Sequence, residues 1–136
     1  MTDFQQVTDT FSVAPQLETS DMAAAKAAGF KTILCNRPDN EGGPEQPAIA
    51  AMQAEAESLG LTFLALPFGG MPSPEIAAQQ GALIEAAEQP VLAYCRSGTR
   101  SITAWALSQA GKGQRDNVLK SAASAGYDLR SIADYL

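Results

Sequence analysis

The chain has 136 residues, of which 46% are hydrophobic and 18% charged, a composition typical of one ordinary globular domain. Its formal net charge of -6 argues against nucleic acid and anionic membrane surfaces as partners. No apolar run approaches the roughly 20 residues of a membrane span, and the N-terminus lacks the features of a signal peptide, so we expect a cytoplasmic single domain over residues 1–136.

The first half of the chain predicts a hairpin followed by alternating helices and strands. β-Branched and aromatic residues on both sides of Thr8-Asp9 indicate an edge hairpin, and a helix is predicted between Ser20 and Gly29. Prolines and glycines indicate a long loop over 36–47. The other predicted elements of this half are strands over 4–7, 10–14 and 30–35 and a helix over 48–59.

The second half continues the alternation of strands and helices. A second loop rich in glycine and proline is expected over 68–74. The predicted elements are strands over 61–66 and 91–95 and helices over 75–88, 100–110, 116–125 and 129–136. Continuously apolar strands that alternate with helices predict an α/β fold with a mainly parallel sheet and helices on both faces.

The segment Y-C-R-S-G-T-R-S carries the chemistry, because it joins a buried strand to a helix at the end of the sheet where ligands bind in such folds. Cys95 is the predicted nucleophile, Gly98 allows the backbone N–H groups to converge on an anion, and Arg100 is placed to bind an oxyanion through two hydrogen bonds. The other predicted anion-binding residues are Arg96, Ser97, Thr99 and Ser101. The alternative is that Cys95 is a core thiol.

The chain contains no histidine, which excludes Ser-His-Asp and Cys-His catalysis and histidine metal sites. We therefore predict no metal and no cofactor. Converging N–H groups, the positive end of the following helix and two arginines would hold Cys95 as a thiolate, and the hydroxyl of Ser101 or Thr99 would donate to it.

Two families share features with this sequence. The loop Y-C-R-S-G-T-R-S resembles the active-site loop of single-domain rhodanese sulfurtransferases, whose cysteine carries a persulfide. The wider chain resembles the phosphatase-like domain of beta-lactamase-hydrolase-like proteins, a family related to dual-specificity phosphatases. The motifs that carry this second resemblance are T-F-S-V-A-P-Q-L, A-A-G-F-K-T-I-L, N-R-P-D-N-E, L-P-F and A-G-Y-D-L. It implies a dual-specificity-phosphatase-like fold.

Three departures from the phosphatase pattern make sulfur transfer the first interpretation. Four residues separate Cys95 from Arg100 where phosphatases have five, Tyr94 stands where histidine is usual, and the loop over 68–74 has no aspartate. We therefore predict a sulfurtransferase that acts through a Cys95 persulfide. A phosphatase-like hydrolase is the alternative, and a thiol-redox protein and a noncatalytic anion-binding module also stay open. The expected partners are a small anionic substrate (thiosulfate, a persulfide or a phosphoester) and a thiol acceptor.

Accessory residues are predicted on the loop that follows the strand over 30–35. Cys35 is either a buried hydrophobe or a resolving thiol, Arg37 would widen the anion site, and Asp39 would tether Arg37 or act as an acid. Glu75 is the other candidate acid. Trp105 and Tyr127 are expected to pack in the core.

Overall fold

The computed structural model describes residues 3–136, and these form an α/β fold around one five-stranded sheet. The strands are β1 (Gln5–Thr8), β2 (Phe11–Ala14), β3 (Thr32–Cys35), β4 (Thr62–Ala65) and β5 (Val91–Tyr94). The helices are α1 (Asp21–Ala27), α2 (Ile49–Ser58), α3 (Pro74–Ala86), α4 (Thr99–Ser108) and α5 (Arg115–Ser124). Residues Arg130–Tyr135 form a 3-10 helix, so the α-helix predicted over 129–136 is wrong in type.

The sheet order is β1-β2-β5-β3-β4, with β5 in the centre. Only β1 runs antiparallel, forming the predicted N-terminal hairpin with β2, while β2, β5, β3 and β4 are parallel. Parallel strands bring their carboxyl ends to one edge, and there the chain leaves β5 at Tyr94. The predicted mainly parallel α/β architecture is confirmed.

Two apolar clusters pack on opposite faces of the sheet, as continuously apolar strands predict. The first cluster joins β2 and β5 to α4 and α5 and includes Trp105, which stacks on Phe11 with ring centroids 5.7 Å apart. The second cluster lies under α1 and α2 and includes Met22, Met52 and Tyr94. Both faces are therefore covered by helices, and Trp105 packs in the core as expected.

Two local features place the helices that flank the sheet end. Pro74 begins α3, where its missing N–H costs no helical hydrogen bond, and the Ser73 side chain accepts the Ile76 N–H at 3.1 Å. Four residues separate the end of β5 from α4, which begins directly after Gly98.

No helix within residues 3–136 has the length and apolar character needed to cross a membrane.

Candidate active site

Cys95 follows the last residue of the central strand and is fully buried. The Gly98 N–H donates to the Cys95 sulfur at 3.1 Å, so the loop turns back toward the sulfur within three residues. Helix α4 begins at Thr99, and its first turn leaves backbone N–H groups without helical partners beside the same loop. The sulfur thus lies at the positive end of a helix, as the sequence predicts.

Contacts from outside the loop hold it on two sides. The Tyr127 hydroxyl donates to the Ser97 carbonyl at 2.8 Å, and the Gln16 N–H donates to the Arg96 carbonyl at 3.2 Å. Gly98 has φ +90°, a left-handed conformation that glycine adopts without steric cost. A side chain at this position would also overlap the Tyr127 ring, so glycine is required for two independent reasons.

Arg100 lies in the first turn of α4, and its guanidinium is held by two loops. Nη1 and Nη2 donate to the two carboxylate oxygens of Glu41 at 2.8 and 2.6 Å, and Nη1 also donates to the Phe68 carbonyl at 2.9 Å. These bonds to Glu41 are the main cause that raises the pKa of Arg100. In this structure the two terminal nitrogens of the Arg100 guanidinium are thus bound to the Glu41 carboxylate.

Arg37 contacts Glu41 from the other side. Its Nε donates to Glu41 Oε1 at 2.9 Å and its Nη1 donates to Gln16 Oε1 at 3.1 Å. Hydrogen bonds from Arg100 and from Arg37 lower the pKa of Glu41, so this carboxyl is ionised at neutral pH. Arg37 is buried and shares Glu41 with Arg100, and its predicted role of widening the anion site stays a prediction.

The predicted role of Asp39 needs correction. Its carboxylate does not tether Arg37: Oδ1 accepts the N–H of Ile49, the first residue of α2, at 2.8 Å. The first N–H groups of a helix lack partners, and Asp39 satisfies one of them. Glu75, the other candidate acid, is exposed in the first turn of α3 and does not line the cleft beside Arg100.

Two buried amides fix the sheet end to the helix that carries Arg100. Asn36 and Gln80 exchange hydrogen bonds of 2.9 Å, Asn36 Nδ2 also donates to the Leu66 carbonyl at 3.0 Å, and Gln80 Nε2 donates to the Ser101 carbonyl at 3.3 Å. Both side chains are fully buried. The Ser101 hydroxyl is also buried and has no hydrogen-bond partner among the described residues, so the bond predicted from it to the Cys95 sulfur is not formed in this structure.

Beside the loop lies an open cleft of about 440 Å³. Four of the predicted site residues line it, whereas Cys95, Gly98 and Ser101 do not. The full lining is Glu41, Gly70, Met71, Pro72, Arg96, Ser97, Thr99, Arg100 and Thr103. Arg96 is exposed at this cleft, where its charge can attract an anion. Glu41 is the only carboxylate that lines it, among residues 3–136.

Cys35 lies on a strand next to that of Cys95, as the sequence predicts, but its partner in register is Tyr94. Its side chain packs in the second apolar cluster with Tyr94, and its sulfur donates to the Arg37 carbonyl at 3.4 Å. Burial raises the pKa of Cys35, so this thiol stays protonated at neutral pH. These contacts favour a packing role, and the resolving-thiol role stays a prediction.

Sequence reasoning missed three residues of this site. Glu41 belongs to the quoted motif N-R-P-D-N-E but received no role, because its partner Arg100 is 59 positions away. Tyr127, which was expected only in the core, is half-buried and also holds the loop. Gln80 is a polar residue among apolar helix positions, and that pattern was the available signal for a buried hydrogen-bond network.

The arrangement provides a buried thiol, backbone N–H donors and an arginine, without a histidine in the chain. Among the described residues, no three metal-ligating side chains lie close enough together to hold a metal ion. Attack on an anionic centre, with the negative charge stabilised by the loop and Arg100, is the chemistry such a site can perform. The fold and the site together define a phosphatase-like α/β domain.

Comparison with known proteins identifies the family. Residues 3–112 match the beta-lactamase hydrolase-like protein, phosphatase-like domain family, and the chain belongs to this family. A beta-lactamase hydrolase-like protein of Agrobacterium fabrum is 31% identical over 96% of this chain. That alignment spans only 31% of the relative's length, so the chain corresponds to about a third of the curated protein.

Solved structures with the same fold include several phosphatases. The crystal structure of a candidate phosphatase from Neisseria meningitidis is 33% identical, with a TM-score of 0.85 over 96% of this chain and 93% of that one. A variant of TpbA from P. aeruginosa, solved in complex with phosphotyrosine, has a TM-score of 0.66 at 17% identity, over 94% of this chain and 78% of that one. The second likeness shows the fold alone.

Proposed function

We propose that the protein is a cysteine-dependent, phosphatase-like hydrolase that cleaves phosphomonoesters through a phosphocysteine at Cys95. The observation that carries this proposal is the position of the sulfur, which accepts the Gly98 N–H at 3.1 Å where α4 begins. A phosphoryl group at this point would lie against loop N–H groups and the Arg100 guanidinium, which stabilise charge on its oxygens.

The reaction has two steps. The Cys95 thiolate attacks phosphorus, the bond from phosphorus to the leaving oxygen breaks, and that oxygen takes a proton from solvent water to leave as an alcohol or phenol. Water then attacks the phosphocysteine, the sulfur–phosphorus bond breaks, and inorganic phosphate departs while the thiolate is restored. Throughout both steps, Arg100 and the loop N–H groups hold the nonbridging oxygens.

The single carboxylate that the described residues place at the cleft favours a substrate whose leaving group needs little protonation. Glu41 is the only acid lining the cleft among the described residues, and its hydrogen bonds to two arginines keep it ionised in the free protein. A phenol is a better leaving group than an aliphatic alcohol because its anion is more stable. Aryl phosphates, such as phosphotyrosine, are therefore the expected substrate class.

The family and the compared structures favour hydrolysis over our first interpretation, sulfur transfer. The family is described as phosphatase-like, and the structure most similar in sequence among those compared above is described as a candidate phosphatase. One observation keeps sulfur transfer as the second candidate: only four residues lie between Cys95 and Arg100, one fewer than the phosphatase pattern has. A smaller loop suits a single persulfide sulfur better than a phosphoryl group.

Turnover of p-nitrophenyl phosphate and of a phosphotyrosine peptide tests the proposal. We expect both to be hydrolysed, Cys95→Ser to abolish turnover, and Arg100→Ala to reduce it by about 100-fold or more. Cys35→Ser is the matched control, because it removes the other thiol of the chain and leaves the loop intact. Acid quenching during turnover should trap a phosphate adduct on Cys95.

Intact-mass analysis after treatment with thiosulfate or glutathione persulfide separates the two candidates. A gain of one sulfur on Cys95, without phosphatase activity, would replace hydrolysis by sulfur transfer. If neither substrate turns over and sulfate binds equally well to the wild type and to Cys95→Ser, the loop is a noncatalytic anion-binding module.

A further inference from the structure

The Glu41 carboxylate is bound where an oxyanion substrate would bind Arg100. Its two oxygens take one N–H each from Nη1 and Nη2, the paired geometry by which a guanidinium also binds phosphate. The Arg100 side chain is 16% exposed, and that of Glu41 is 31% exposed at the surface of the cleft. The free protein thus carries a resident anion on its phosphate-binding arginine.

The Cys95 sulfur is inaccessible to solvent while Glu41 is bound to Arg100. Cys95 is fully buried although its neighbours Arg96, Ser97 and Thr99 line an open cleft, which Arg100 also lines. A substrate can reach the sulfur only if a group at the cleft gives way. The Arg100–Glu41 contact is held by hydrogen bonds that an oxyanion can replace one for one.

Glu41 also has a second cation to which it is already bound. Arg37 Nε donates to Glu41 Oε1 at 2.9 Å, and Arg37 is anchored independently by Gln16. Gly42 permits this contact, because a Cβ there would lie 2.7 Å from Arg37 Nη2. The carboxylate can therefore leave Arg100 without becoming unpaired.

We propose that Glu41 is an internal competitor for Arg100: its carboxylate occupies the donor pair that a substrate oxyanion takes, and it stays bound to Arg37 when the anion displaces it. This inference rests on the part of the proposed function that places an oxyanion on Arg100. The competition makes the site selective, because an anion must also use the loop N–H groups to outbind a carboxylate that is already in place. Tetrahedral dianions satisfy this condition, and simple carboxylates do not.

Sulfate titration measures the competition without any turnover. The probe is inorganic sulfate, which stays doubly charged at neutral pH, and binding is followed by the Gly98 amide resonance in NMR spectra of the intact chain. We expect Glu41→Gln to bind sulfate about five- to tenfold more tightly than the wild type, since it removes a partly exposed, bidentate competitor. Acetate should bind the wild type at least tenfold more weakly than sulfate.

Glu45→Gln is the matched control. Glu45 lies on the same loop, is exposed and contacts neither arginine, so this variant changes the net charge equally but leaves the competitor in place. It should bind sulfate within about twofold of the wild type, because solvent and salt screen an exposed charge that has no contact with Arg100. Arg37→Gln, which removes the second cation, should weaken sulfate binding and so gives a change of opposite sign.

Equal or weaker sulfate binding by Glu41→Gln than by Glu45→Gln would overturn the proposal and make Glu41 a residue that positions Arg100 for binding. If Glu41→Gln does not fold, tighter or unchanged binding by Arg37→Gln would overturn it in the same way. The two proposals fail separately. Absence of phosphatase activity with the sulfate contrast intact rejects only the proposed function, and hydrolysis without that contrast rejects only the competition.

Discussion

Replacement of Gly98 by alanine tests the geometry of the loop most directly. At φ +90° a residue with a Cβ is strained by about 1–2 kcal/mol. The new Cβ would overlap the Tyr127 hydroxyl and lie 2.9 Å from Tyr127 Cζ, so the ring must move and lose its bond to the Ser97 carbonyl, worth about 1 kcal/mol. We therefore expect Gly98→Ala to lower the free energy of unfolding by about 2–3 kcal/mol.

Urea unfolding in two backgrounds separates these contributions. In Tyr127→Ala the clash is gone, so Gly98→Ala should cost only the backbone part, about 1–2 kcal/mol. Gly29→Ala is the matched control, since Gly29 has φ +98° with open space around its Cβ position. An equal cost of Gly98→Ala in both backgrounds would show that Tyr127 does not pack on the loop, and wild-type stability would refute the left-handed turn itself.

Three further predictions concern the surroundings of the site. Gln80→Leu should lower the free energy of unfolding in urea by about 2–3 kcal/mol, because it leaves the buried Asn36 amide without its main partner. The double variant, in which Asn36 and Gln80 are both leucine, should lose less stability than the sum of the two single variants. Cys35→Ala should lower stability by about 1–2 kcal/mol and leave turnover unchanged, whereas loss of turnover would support the resolving thiol. The pKa of Glu41 is lowered in the folded state, chiefly by Arg100, so its ion pairs contribute fully above the ordinary value of 4.5 and are lost as the pH falls through the lowered one. Glu41→Gln should therefore cost about 0.5–1 kcal/mol at pH 7, and pH-dependent unfolding should show the two proteins converging in acid.

The strands and turns of the sheet could be predicted from the sequence, because each is determined by a short run of neighbouring residues. The apolar runs that end at Cys35 and Cys95 are both parallel strands, and the glycine and proline residues over 36–47 do form the loop that joins β3 to α2. The turn at Gly98 and the start of α4 after it could also be predicted from the sequence, because a glycine between a strand and a helix typically marks a tight turn. The 3-10 form of the last helix could not be predicted, because its side chains are compatible with a 3-10 helix and with an α-helix.

The contacts of the site could not be predicted because they join loops that are far apart in the sequence. The loop after β3 carries three acids, Asp39, Glu41 and Glu45. Their positions in the sequence do not indicate which of them binds an arginine. Asp39 caps α2 because its oxygen reaches the Ile49 N–H, which leaves Glu41 for Arg37 and Arg100. Loop conformation decides this choice, and loop conformation depends on the tertiary packing of both ends.

The loop after β4 and the missing aspartate are connected by the geometry of Arg100. In the phosphatases that the sequence resembles, this loop supplies the acid that protonates the leaving group, but here its Phe68 carbonyl accepts a hydrogen bond from Arg100 at 2.9 Å. The loop thus fixes one side of the guanidinium while Glu41 fixes the other. If the protein is the proposed phosphatase, a loop with no acidic side chain makes departure of the leaving group depend on the stability of the leaving anion. Turnover should therefore rise steeply as the leaving phenol becomes more acidic across a series of substituted phenyl phosphates. A rate independent of the leaving group would mean either that an unidentified acid enters the cleft or that hydrolysis of the phosphocysteine limits turnover, and burst kinetics would separate the two.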